Sequence, residues 1–327
     1  MRRLALAWGF VANPNERSVH TAPVPYLGGV AIFLAFLAAS AVSGLTMHAD
    51  VPALLLGGLA MLILGIVDDY RPLPAAVKFG GQIAIAAAVA WAGVSIDYVT
   101  NPFGGILELG AWGIPITVLW IVAIVNIINL SDGLDGLAAG ITSIAAMTML
   151  VSALLTGQPA AAVLLAAALL GSTMGFLPWN FNPAKIFMGD AGSMFLGYVL
   201  AAVAVEGSLK SPAIITLAVP VLALGVPIFD TAFAILRRWR AGRPIMEADR
   251  GHLHHRLLAI GLSQRETVLL LYCVSGWFAV GSLAIVRLPV LVSTMVLAFF
   301  GFTLYVAVHV LRLRVTPRSE QASGSDR

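Results

Sequence analysis

The stretch "NIINLSDGLDGLAAG", residues 126–140, places two Asn and two Asp within ten residues of a chain whose surroundings are almost entirely apolar. Apolar runs at 112–130 and 134–157 flank these polar side chains. Each run is long enough to cross a hydrocarbon core of roughly 30 Å as a helix. We therefore predict two membrane-spanning helices joined by a short polar turn.

The rest of the chain repeats the same pattern. Of its 327 residues, 59% are hydrophobic and only 11% are charged, whereas a soluble domain carries about 25% charged residues. The apolar runs are continuous rather than alternating, which argues against a transmembrane β-barrel. We predict an all-α, polytopic transmembrane helical bundle of about ten spans. They lie at 27–47, 51–67, 78–95, 112–130, 134–157, 159–178, 186–205, 211–238, 267–286 and 289–311.

One of the spans and one of the loops carry sequence signals of irregular structure. The eighth run is long and contains Pro220 and Pro227, so we expect a kinked or broken helix there. Residues 96–111 form the longest predicted outer loop, and we expect a small hairpin around Gly104 and Gly105.

The domain organisation predicted from the sequence is simple. Residues 1–314 form a single integral membrane domain, and residues 315–327, which are polar, form a disordered cytoplasmic tail. Residues 1–26 are polar and contain Arg, without the apolar core of a cleavable signal peptide. The single cysteine cannot form an intrachain disulfide and says nothing about the redox compartment.

The distribution of basic residues predicts the orientation in the membrane. With a cytoplasmic N-terminus, 17 of the 19 Lys and Arg lie in inside segments, and only Lys210 and Arg287 lie outside. The positive-inside rule selects this orientation. The polar stretches then share the cytoplasmic side, so we expect the active-site loops there, at the cell membrane. These stretches are 14–29, 68–74, 129–136, 180–193 and 248–257.

The polar side chains of the central stretch are spaced by three, so a helix continuing to residue 132 would place them roughly along one face. They are Asn126, Asn129, Asp132 and Asp135. Asp190 lies between glycines at the entry to the seventh span, on the same side of the membrane. Oxygen ligands without nitrogen or sulfur favour a hard cation such as Mg²⁺. We therefore predict a magnesium site built from these side chains.

Asp68 and Asp69 are adjacent carboxylates at the predicted C-terminus of the second span. The helix dipole is unfavourable for negative charge at that end, and the two carboxylates also repel each other. We therefore expect a compensating positive charge, which is either a metal ion or one of the nearby cations Arg71 and Lys78.

Three histidines, His252, His254 and His255, lie between Arg250 and Arg256. The chain has no HExxH motif and no Cys near them, so a tetrahedral zinc site is not indicated. A cationic loop that binds phosphate or sugar oxygens fits this stretch better. A solvated basic loop is the alternative.

Two other charged features are less specific. Asp230 lies within the long eighth run, and charges in spans usually face the interior and are functional or paired, so its role stays open. The stretch "RRWRAGR", residues 237–243, is explained by membrane topology and by anionic lipid headgroups.

Taken together, the cytoplasmic face combines a hard-cation site, carboxylates, glycines and a basic loop beside lipid. This combination suits phosphate chemistry with one lipid-borne substrate and one cytosolic substrate. Five motifs, spread over nearly the whole chain, resemble the polyprenyl-phosphate N-acetylhexosamine-1-phosphate transferase family. They are "PVPYLGG" (23–29), "VDDYRPLP" (67–74), "NIINLSDGLDGL" (126–137), "FNPAKIFMGDAGSMFLG" (181–197) and "DRGHLHHRL" (249–257).

The resemblance implies that UDP-N-acetylglucosamine donates its sugar 1-phosphate to undecaprenyl or decaprenyl phosphate and that UMP is released. This would be the first membrane step of a cell-envelope polymer such as lipopolysaccharide O-antigen, teichoic acid or arabinogalactan. Mg²⁺, with Mn²⁺ as a substitute, would neutralise the diphosphate and stabilise the leaving group. The implied partners are a UDP-N-acetylhexosamine, polyprenyl phosphate and the lipid bilayer, in a protein that can form a homodimer and binds no nucleic acid.

The resemblance also implies roles for individual acids. Asn129 and Asp190 would be the Mg²⁺ ligands. Asp68 and Asp69 would be a catalytic pair that deprotonates or orients the lipid phosphate. Asp132, the third catalytic position, would support the metal and the phosphates.

The implied substrate-binding residues lie in three segments. Lys78 would hold the lipid phosphate, while Asp135, Asn180 and Phe187 would form the nucleotide pocket, with Phe187 stacked on uracil. Because the histidine loop is a different segment from Lys78, we expect it to bind the nucleotide sugar away from the lipid phosphate. The positions implied to contact the diphosphate or the sugar are His252, His254 and His255.

One departure from the family pattern concerns the first span. Family members usually have eleven spans, and the polar stretch 14–29 follows the first of them. Here only residues 1–12 precede this stretch, so we expect the first span of the pattern to be absent and the site to be intact. The open alternatives are a polyprenyl diphosphate phosphatase, a phospho-MurNAc-pentapeptide transferase and a transporter, although transporters place polar groups near the membrane midplane. A non-catalytic scaffold is the least favoured alternative, because all five motifs are intact.

Overall fold

The computed structural model describes residues 1–7, 9–12, 23–47, 50–100, 106–209, 215–243, 251–286 and 288, and scattered positions between 292 and 302. This part of the chain is built from twelve α-helices, which confirms the predicted all-α class. The helices are α1 (Arg2–Ala7), α2 (Gly28–Val42), α3 (Val51–Tyr70), α4 (Ala75–Trp91), α5 (Gly113–Ser131), α6 (Leu137–Thr156), α7 (Ala160–Asn180), α8 (Gly189–Ala204), α9 (Ile215–Ala223), α10 (Gly225–Arg240), α11 (Leu253–Ala259) and α12 (Gln264–Ile285).

The predicted spans correspond closely to these helices. The first seven match α2 to α8, and the ninth matches α12. Within the described residues, six helices are long and apolar enough to cross a membrane, and α2 and α4 are shorter apolar helices. The predicted tail, 315–327, lies outside the described residues, as does most of the tenth span, 289–311.

The expected break in the eighth run is present. Helix α9 ends at Ala223 and α10 begins at Gly225. Pro227 lies in the first turn of α10, where its missing N–H has no intrahelical partner to lose. Pro220 lies inside α9 and removes a hydrogen bond from its ladder. The prediction of a broken helix is therefore confirmed.

The described part of the chain also contains two short antiparallel sheets. Strand β1 (Val11–Ala12) pairs with β2 (Val24–Pro25). Strand β3 (Tyr98–Thr100) pairs with β4 (Ile106–Glu108), with Val99 opposite Leu107. The second pair is the hairpin predicted for the long outer loop, whose residues 101–105 lie outside the described part of the chain.

Helix α8 is buried along its length, and Asp190 is the one residue of α8 that is not buried. Small residues allow its neighbours to approach closely. A side chain on Gly65 of α3 would collide with the backbone of Ala191. One on Gly29 of α2 would collide with the backbone of Gly192. The C-terminal end of α3 therefore lies beside the N-terminal end of α8.

The buried residues of α8 belong to a first apolar cluster, and a second apolar cluster joins α6, α9, α10, α11 and α12. This cluster contains Leu257 of α11 and Leu134, which lies in the turn between α5 and α6. Tyr272 of α12 donates a 2.5 Å hydrogen bond to the carbonyl of Gly136, and its ring fills the space beside Gly140. The cluster thus holds the histidine-containing α11 against the polar turn that follows α5.

Candidate active site

Two cavities meet at the C-terminal end of α5. The smaller one has a volume of about 310 Å³, and we call it the polar cavity because carboxylates and amides line much of it. The larger one has a volume of about 720 Å³ and lies between α4, α5 and α10, and we call it the apolar cavity. Asn129, Asp132 and Gly133 line both cavities. The polar turn after α5 is therefore the junction between them.

Lys78 of α4 lies at this junction and contacts three side chains from three other helices. Its Nζ lies 2.6 Å from Oδ2 of Asp68 and 3.1 Å from Oδ2 of Asp190. It also donates a 3.3 Å hydrogen bond to Oδ1 of Asn129. Of the cations considered for the Asp68–Asp69 pair, Lys78 is thus the one that contacts Asp68, which also accepts the backbone N–H of Leu73 at 2.8 Å.

Asp69 points the other way and caps α8 from α3. Its two carboxylate oxygens accept the backbone N–H groups of Asp190 at 2.7 Å and of Ala191 at 3.0 Å. A carboxylate is stabilised at a helix N-terminus by the free N–H groups and the helix dipole. Gly189 has φ +69°, and a side chain on it would collide with the Asp69 carboxylate. The adjacent acids are therefore stabilised separately, one by a cation and one by a helix end.

Asn129 and Asp190 are in direct contact. Asn129 Nδ2 donates to Oδ1 of Asp190 at 2.5 Å and to the hydroxyl of Ser193 at 2.8 Å. Their remaining oxygens face Lys78. The structure therefore brings together the two positions that the resemblance implies as metal ligands.

The donor chemistry here fits a hard cation. Asp69, Asn129, Asp132 and Asp190 all line the polar cavity and offer oxygen. Among the described residues, no group of three or more His, Cys, Asp or Glu side chains is arranged to hold a metal ion. Mg²⁺ usually keeps several waters and is bound through one or two carboxylates together with substrate phosphates. The residues fit a cation shared with a phosphate substrate rather than one enclosed by protein.

Of the two remaining polar residues in the central stretch, Asn126 shares the α5 face of Asn129, whereas Asp135 departs from the single face expected. Asn126 donates to Gln82 at 2.6 Å on the side of the apolar cavity. Asp135 accepts Nδ2 of Asn182 at 2.9 Å and the N–H of Ala184 at 3.0 Å. The reason is that α5 ends at Ser131, so the helical spacing does not continue to residue 135.

Asp132 follows the last residue of α5 in the acidic wall of the polar cavity. Burial, and then the nearby carboxylates of Asp190, Asp69 and Asp135, raise the pKa of Asp132 to about 8. Burial and the same acidic surroundings also raise the pKa of the Tyr26 hydroxyl. A positively charged ligand in this cavity would therefore be favoured, because it would relieve the repulsion among the acids.

Phe187 and Tyr26 form an aromatic pair in the wall of the polar cavity, with ring centroids 6.4 Å apart. Backbone hydrogen bonds hold the two segments together: Phe187 N donates to Pro25 O at 2.9 Å, and Gly28 N donates to Phe187 O at 2.9 Å. The sequence prediction included Phe187 but missed Tyr26. Its place in the "PVPYLGG" motif was a signal, but only the pairing of the two segments turns it into a cavity residue.

Asn180 lines the polar cavity but uses its amide for the backbone. Its Oδ1 accepts the N–H of Gly136 at 3.1 Å, and its Nδ2 donates to the carbonyl of Ile186 at 3.1 Å. The side chain is 3% exposed. Asn180 therefore links the turn before α6 to the segment that carries Phe187.

The histidine loop is not separate from Lys78, and that part of the sequence prediction is wrong. His252, His254 and His255 line the apolar cavity together with Lys78. The reason lies in the second apolar cluster, which packs α11 against the turn after α5. The ring of His254 lies so close to Gly133 that any side chain there would collide with it.

Asp230, whose role the sequence leaves open, holds the histidine loop in place. Its carboxylate lies 3.0 Å from Nδ1 of His252 and accepts the backbone N–H of Leu253 at 2.8 Å. His254 is buried beside it, and burial, followed by the proximity of His255, lowers the pKa of His254 to about 4. His254 is therefore neutral at pH 7.

Arg238 was missed because the sequence attributes 237–243 to membrane topology. The side chain is buried and lines the apolar cavity. Thr231, Ala234 and Ile235 line the same cavity from α10, so the four positions follow the spacing of one helix face. That spacing was the available signal, since it separates Arg238 from its exposed neighbour Arg240.

The fold and the site together define a class: a polytopic membrane protein in which an acidic, polar cavity opens against a larger apolar one. Comparison with known proteins then identifies the family of the chain. The model of glycosyl transferase family 4 matches residues 51–208. The chain is 42% identical to the probable undecaprenyl-phosphate N-acetylglucosaminyl 1-phosphate transferase of Bacillus subtilis, over 87% of this chain and 80% of that protein.

Two further relatives cover similar lengths. The decaprenyl-phosphate N-acetylglucosaminephosphotransferase of Mycobacterium tuberculosis is 38% identical over 86% of this chain and 77% of its own. The phospho-N-acetylmuramoyl-pentapeptide-transferase of Desulforudis audaxviator is 34% identical over 87% and 91%. The chain belongs to glycosyl transferase family 4, the polyprenyl-phosphate N-acetylhexosamine-1-phosphate transferases, which confirms the resemblance of its five motifs.

Proposed function

We propose that the protein transfers N-acetylglucosamine 1-phosphate from UDP-N-acetylglucosamine to undecaprenyl or decaprenyl phosphate and releases UMP. The observation that carries this proposal is the junction of two cavities of opposite character at Asn129, Asp132 and Gly133. One substrate of such a reaction is water-soluble and the other is a long hydrocarbon with a charged head. The names of the relatives from Bacillus and Mycobacterium support a polyprenyl phosphate acceptor and the transfer of N-acetylglucosamine phosphate.

The polar cavity suits the nucleotide sugar. Phe187 and Tyr26 offer aromatic faces for a uracil ring, which stacks favourably on such faces. Asp135 and the backbone near Gly189 offer hydrogen-bonding groups. A volume of about 310 Å³ lies at the lower end of the range of small-molecule sites, and this cavity is continuous with the junction where the diphosphate would lie.

The apolar cavity suits the acceptor. Phe79, Leu119 and Ile235 give its walls an apolar surface from three different helices, which a polyisoprenoid chain can cover. Its polar end carries Lys78 and Arg238 beside the three histidines. Cationic groups at one end of an apolar groove match a lipid with a phosphate head.

The proposed reaction is an exchange of one phosphoanhydride for another. An oxygen of the lipid phosphate attacks the phosphorus that bears the sugar, a new P–O–P bond forms, and the bond to the phosphate of UMP breaks. The electron pair of that bond leaves with UMP. Lys78 holds the attacking phosphate at the junction, and Asp68 fixes Lys78 through its 2.6 Å contact. A strong general base is not required, because a phosphate monoester is largely ionised near pH 7.

Asn129 and Asp190 would hold Mg²⁺ or Mn²⁺, supported by Asp132. When bound, this cation supplies positive charge that neutralises the diphosphate and stabilises the UMP leaving group. Asp69 positions this part of the site, since it fixes the first turn of α8, from which the Asp190 side chain projects.

The cellular setting follows from charge and motif. The excess of Lys and Arg on one side, 17 of 19, supports a multi-pass protein of the cytoplasmic membrane whose two cavities open at the cytoplasmic side. The reaction would start a cell-envelope polysaccharide on its lipid carrier. A homodimer is compatible with this function, and nucleic acid has no part in it.

The experiment that tests the function is isotope exchange between labelled UMP and UDP-N-acetylglucosamine in purified membranes. We expect exchange only when polyprenyl phosphate is present, since the free-energy change of the transfer is small and the reaction reversible. Steady phosphate release from polyprenyl diphosphate without exchange would replace the proposal with a phosphatase. Exchange with UDP-MurNAc-pentapeptide but not with UDP-N-acetylglucosamine would favour the activity named for the Desulforudis relative.

A labelling experiment tests the orientation. Cys273 is exposed on α12, so it is first replaced by Ser. In that background, cysteines at Ala75 and Ala184 should be protected from an impermeant thiol reagent applied to intact cells, whereas one at Thr100 should react. Labelling of Ala184→Cys from outside would reverse the proposed orientation.

A further inference from the structure

The amides of Gln82, which is buried, and Asn126, which is half-buried, repeat the contact between Lys78 and Asn129 one helical turn away. Gln82 lies four residues after Lys78 on α4, and Asn126 lies three residues before Asn129 on α5. Asn126 Nδ2 donates to Gln82 Oε1 at 2.6 Å. Residues three or four positions apart lie on one face of a helix. The two contacts are therefore successive layers between the same pair of helices.

Helix α8 takes part in both layers. In the first layer Asp190 contacts Lys78 at 3.1 Å, and in the second Met194, four residues further on, accepts Nε2 of Gln82 at 3.7 Å. Gln82 and Met194 are both 0% exposed. A buried amide that loses its partners is destabilised by the full cost of its desolvation. Rotation of α4 against α5 and α8 is opposed for that reason.

The second layer acts at a distance from the substrates. Gln82 lines neither of the two cavities, whereas Asn126 lines the apolar cavity. Both hydrogens of the Asn126 amide group are donated within the protein, one to Gln82 and one to the carbonyl of Val122 at 2.8 Å. We propose that Gln82 is a positioning residue that acts through Asn126 to hold α4 at the rotation that brings the Lys78 ammonium group to the junction. This inference rests on the proposed function, in which Lys78 binds the acceptor phosphate.

The first test separates the two substrates. In Gln82→Leu the KM for polyprenyl phosphate should rise about tenfold, the equivalent of one buried hydrogen bond. The KM for UDP-N-acetylglucosamine should stay within about twofold of the wild-type value, because the groups proposed to bind the nucleotide lie outside α4. Asn126→Leu should give the same split, since it removes the same contact.

The second test is a rescue by exchange of side chains. Gln82→Asn shortens one side of the contact by one methylene, and Asn126→Gln lengthens the other by one. Each single variant should raise the acceptor KM, and the double variant should return it to within about threefold of the wild-type value. These variants keep both amide groups, so the test can still be made if the Gln82→Leu protein does not fold.

Thr173→Val is the matched control. Ser143 of α6 donates a 2.9 Å hydrogen bond to Thr173 of α7, and both side chains are buried outside the walls of the two cavities. The variant loses a buried interhelical hydrogen bond as Gln82→Leu does. Its thermal stability in detergent should fall similarly, with neither KM changed.

Three outcomes would overturn the inference. The first is that Gln82→Leu, like Thr173→Val, loses stability without a change in either KM. The second is that Asn126→Leu raises the acceptor KM but Gln82→Leu does not, which would mean that Asn126 contacts the acceptor directly. The third is that the double exchange does not restore the acceptor KM. A wild-type protein with neither transfer nor thermal stabilisation by polyprenyl phosphate would instead contradict the proposed function, and the positioning role would fall with it.

Discussion

The polar cavity and the apolar cavity share a wall but are built in different ways. Turns and helix ends form most of the polar cavity, including the turn around Gly133 and the start of α8 at Gly189. Faces of three helices form the apolar cavity, with charged groups at one end. One helical bundle thus offers two kinds of surface. In the proposed reaction, the backbone N–H groups and carboxylates of the polar cavity would bind the soluble substrate, and the continuous helix faces of the apolar cavity would bind the lipid.

The largest effect is expected where the two cavities meet. Asp190→Asn and Asn129→Ala should each reduce transfer by on the order of 10³-fold, because each removes an oxygen group that stabilises charge at the reacting phosphates. The measurement is the initial rate of lipid product formation at limiting Mg²⁺. Unfolding in detergent checks that the protein is still folded. Near-normal turnover in both variants would remove Asn129 and Asp190 from the proposed metal site.

Substitution of one glycine should disturb the polar cavity without changing the apolar cavity. Gly189→Ala should lower the rate by about 10²-fold, because its methyl group would displace the Asp69 carboxylate from the first turn of α8. Gly157→Ala is the control, since Gly157 has a similar φ of +65° but nothing within 4 Å of an added Cβ. Both variants carry the strain of a positive φ, so equal losses of activity would mean that the Asp69 contact is unimportant.

His254 is buried in the wall of the apolar cavity, and its pKa makes stability depend on pH. The pKa of His254 is lowered from 6.5 to about 4, so folding favours the neutral ring. This contribution to stability is fully present above pH 6.5, because the ring is then neutral in both states. It is lost as the pH falls from 6.5 through about 4, and the loss reaches about 3 kcal/mol. Thermal unfolding from pH 7 to pH 4 should therefore be less pH-dependent in His254→Asn. Parallel curves for the two proteins would mean that the folded state does not depress this pKa.

The smallest effects should separate the substrates. Phe187→Leu should raise the KM for UDP-N-acetylglucosamine about tenfold, because base stacking on an aromatic ring is worth roughly 1–3 kcal/mol. Ala123→Trp, which fills part of the apolar cavity, should raise the acceptor KM by a similar factor and leave the nucleotide KM unchanged. Steady-state kinetics with each substrate varied in turn measures both. If either variant changes both constants equally, the assignment of one substrate to each cavity is wrong.

Much of the fold could be predicted because its signals are local. Apolar runs, Pro220 and Pro227 act within their own helices, so helix positions and the break between α9 and α10 follow from the chain itself. The prediction of one continuous polar face failed at Asp135, because α5 ends at Ser131. Helix ends depend on capping contacts as well as on spacing, which explains why periodicity alone extended the helix too far.

The positions of most apolar helices follow from the sequence alone, which also predicts one side of the membrane for 17 of the 19 basic residues and supplies oxygen-bearing side chains suited to a hard cation. The contact partner of each of these residues becomes known only from the packing of the helices. Asp69 contacts Asp190 from 121 positions away in the chain, and Lys78 contacts it from 112. These contacts exist because glycines let α3 lie against α8. Helix propensity is a local property, whereas the meeting of distant side chains depends on how the whole bundle packs.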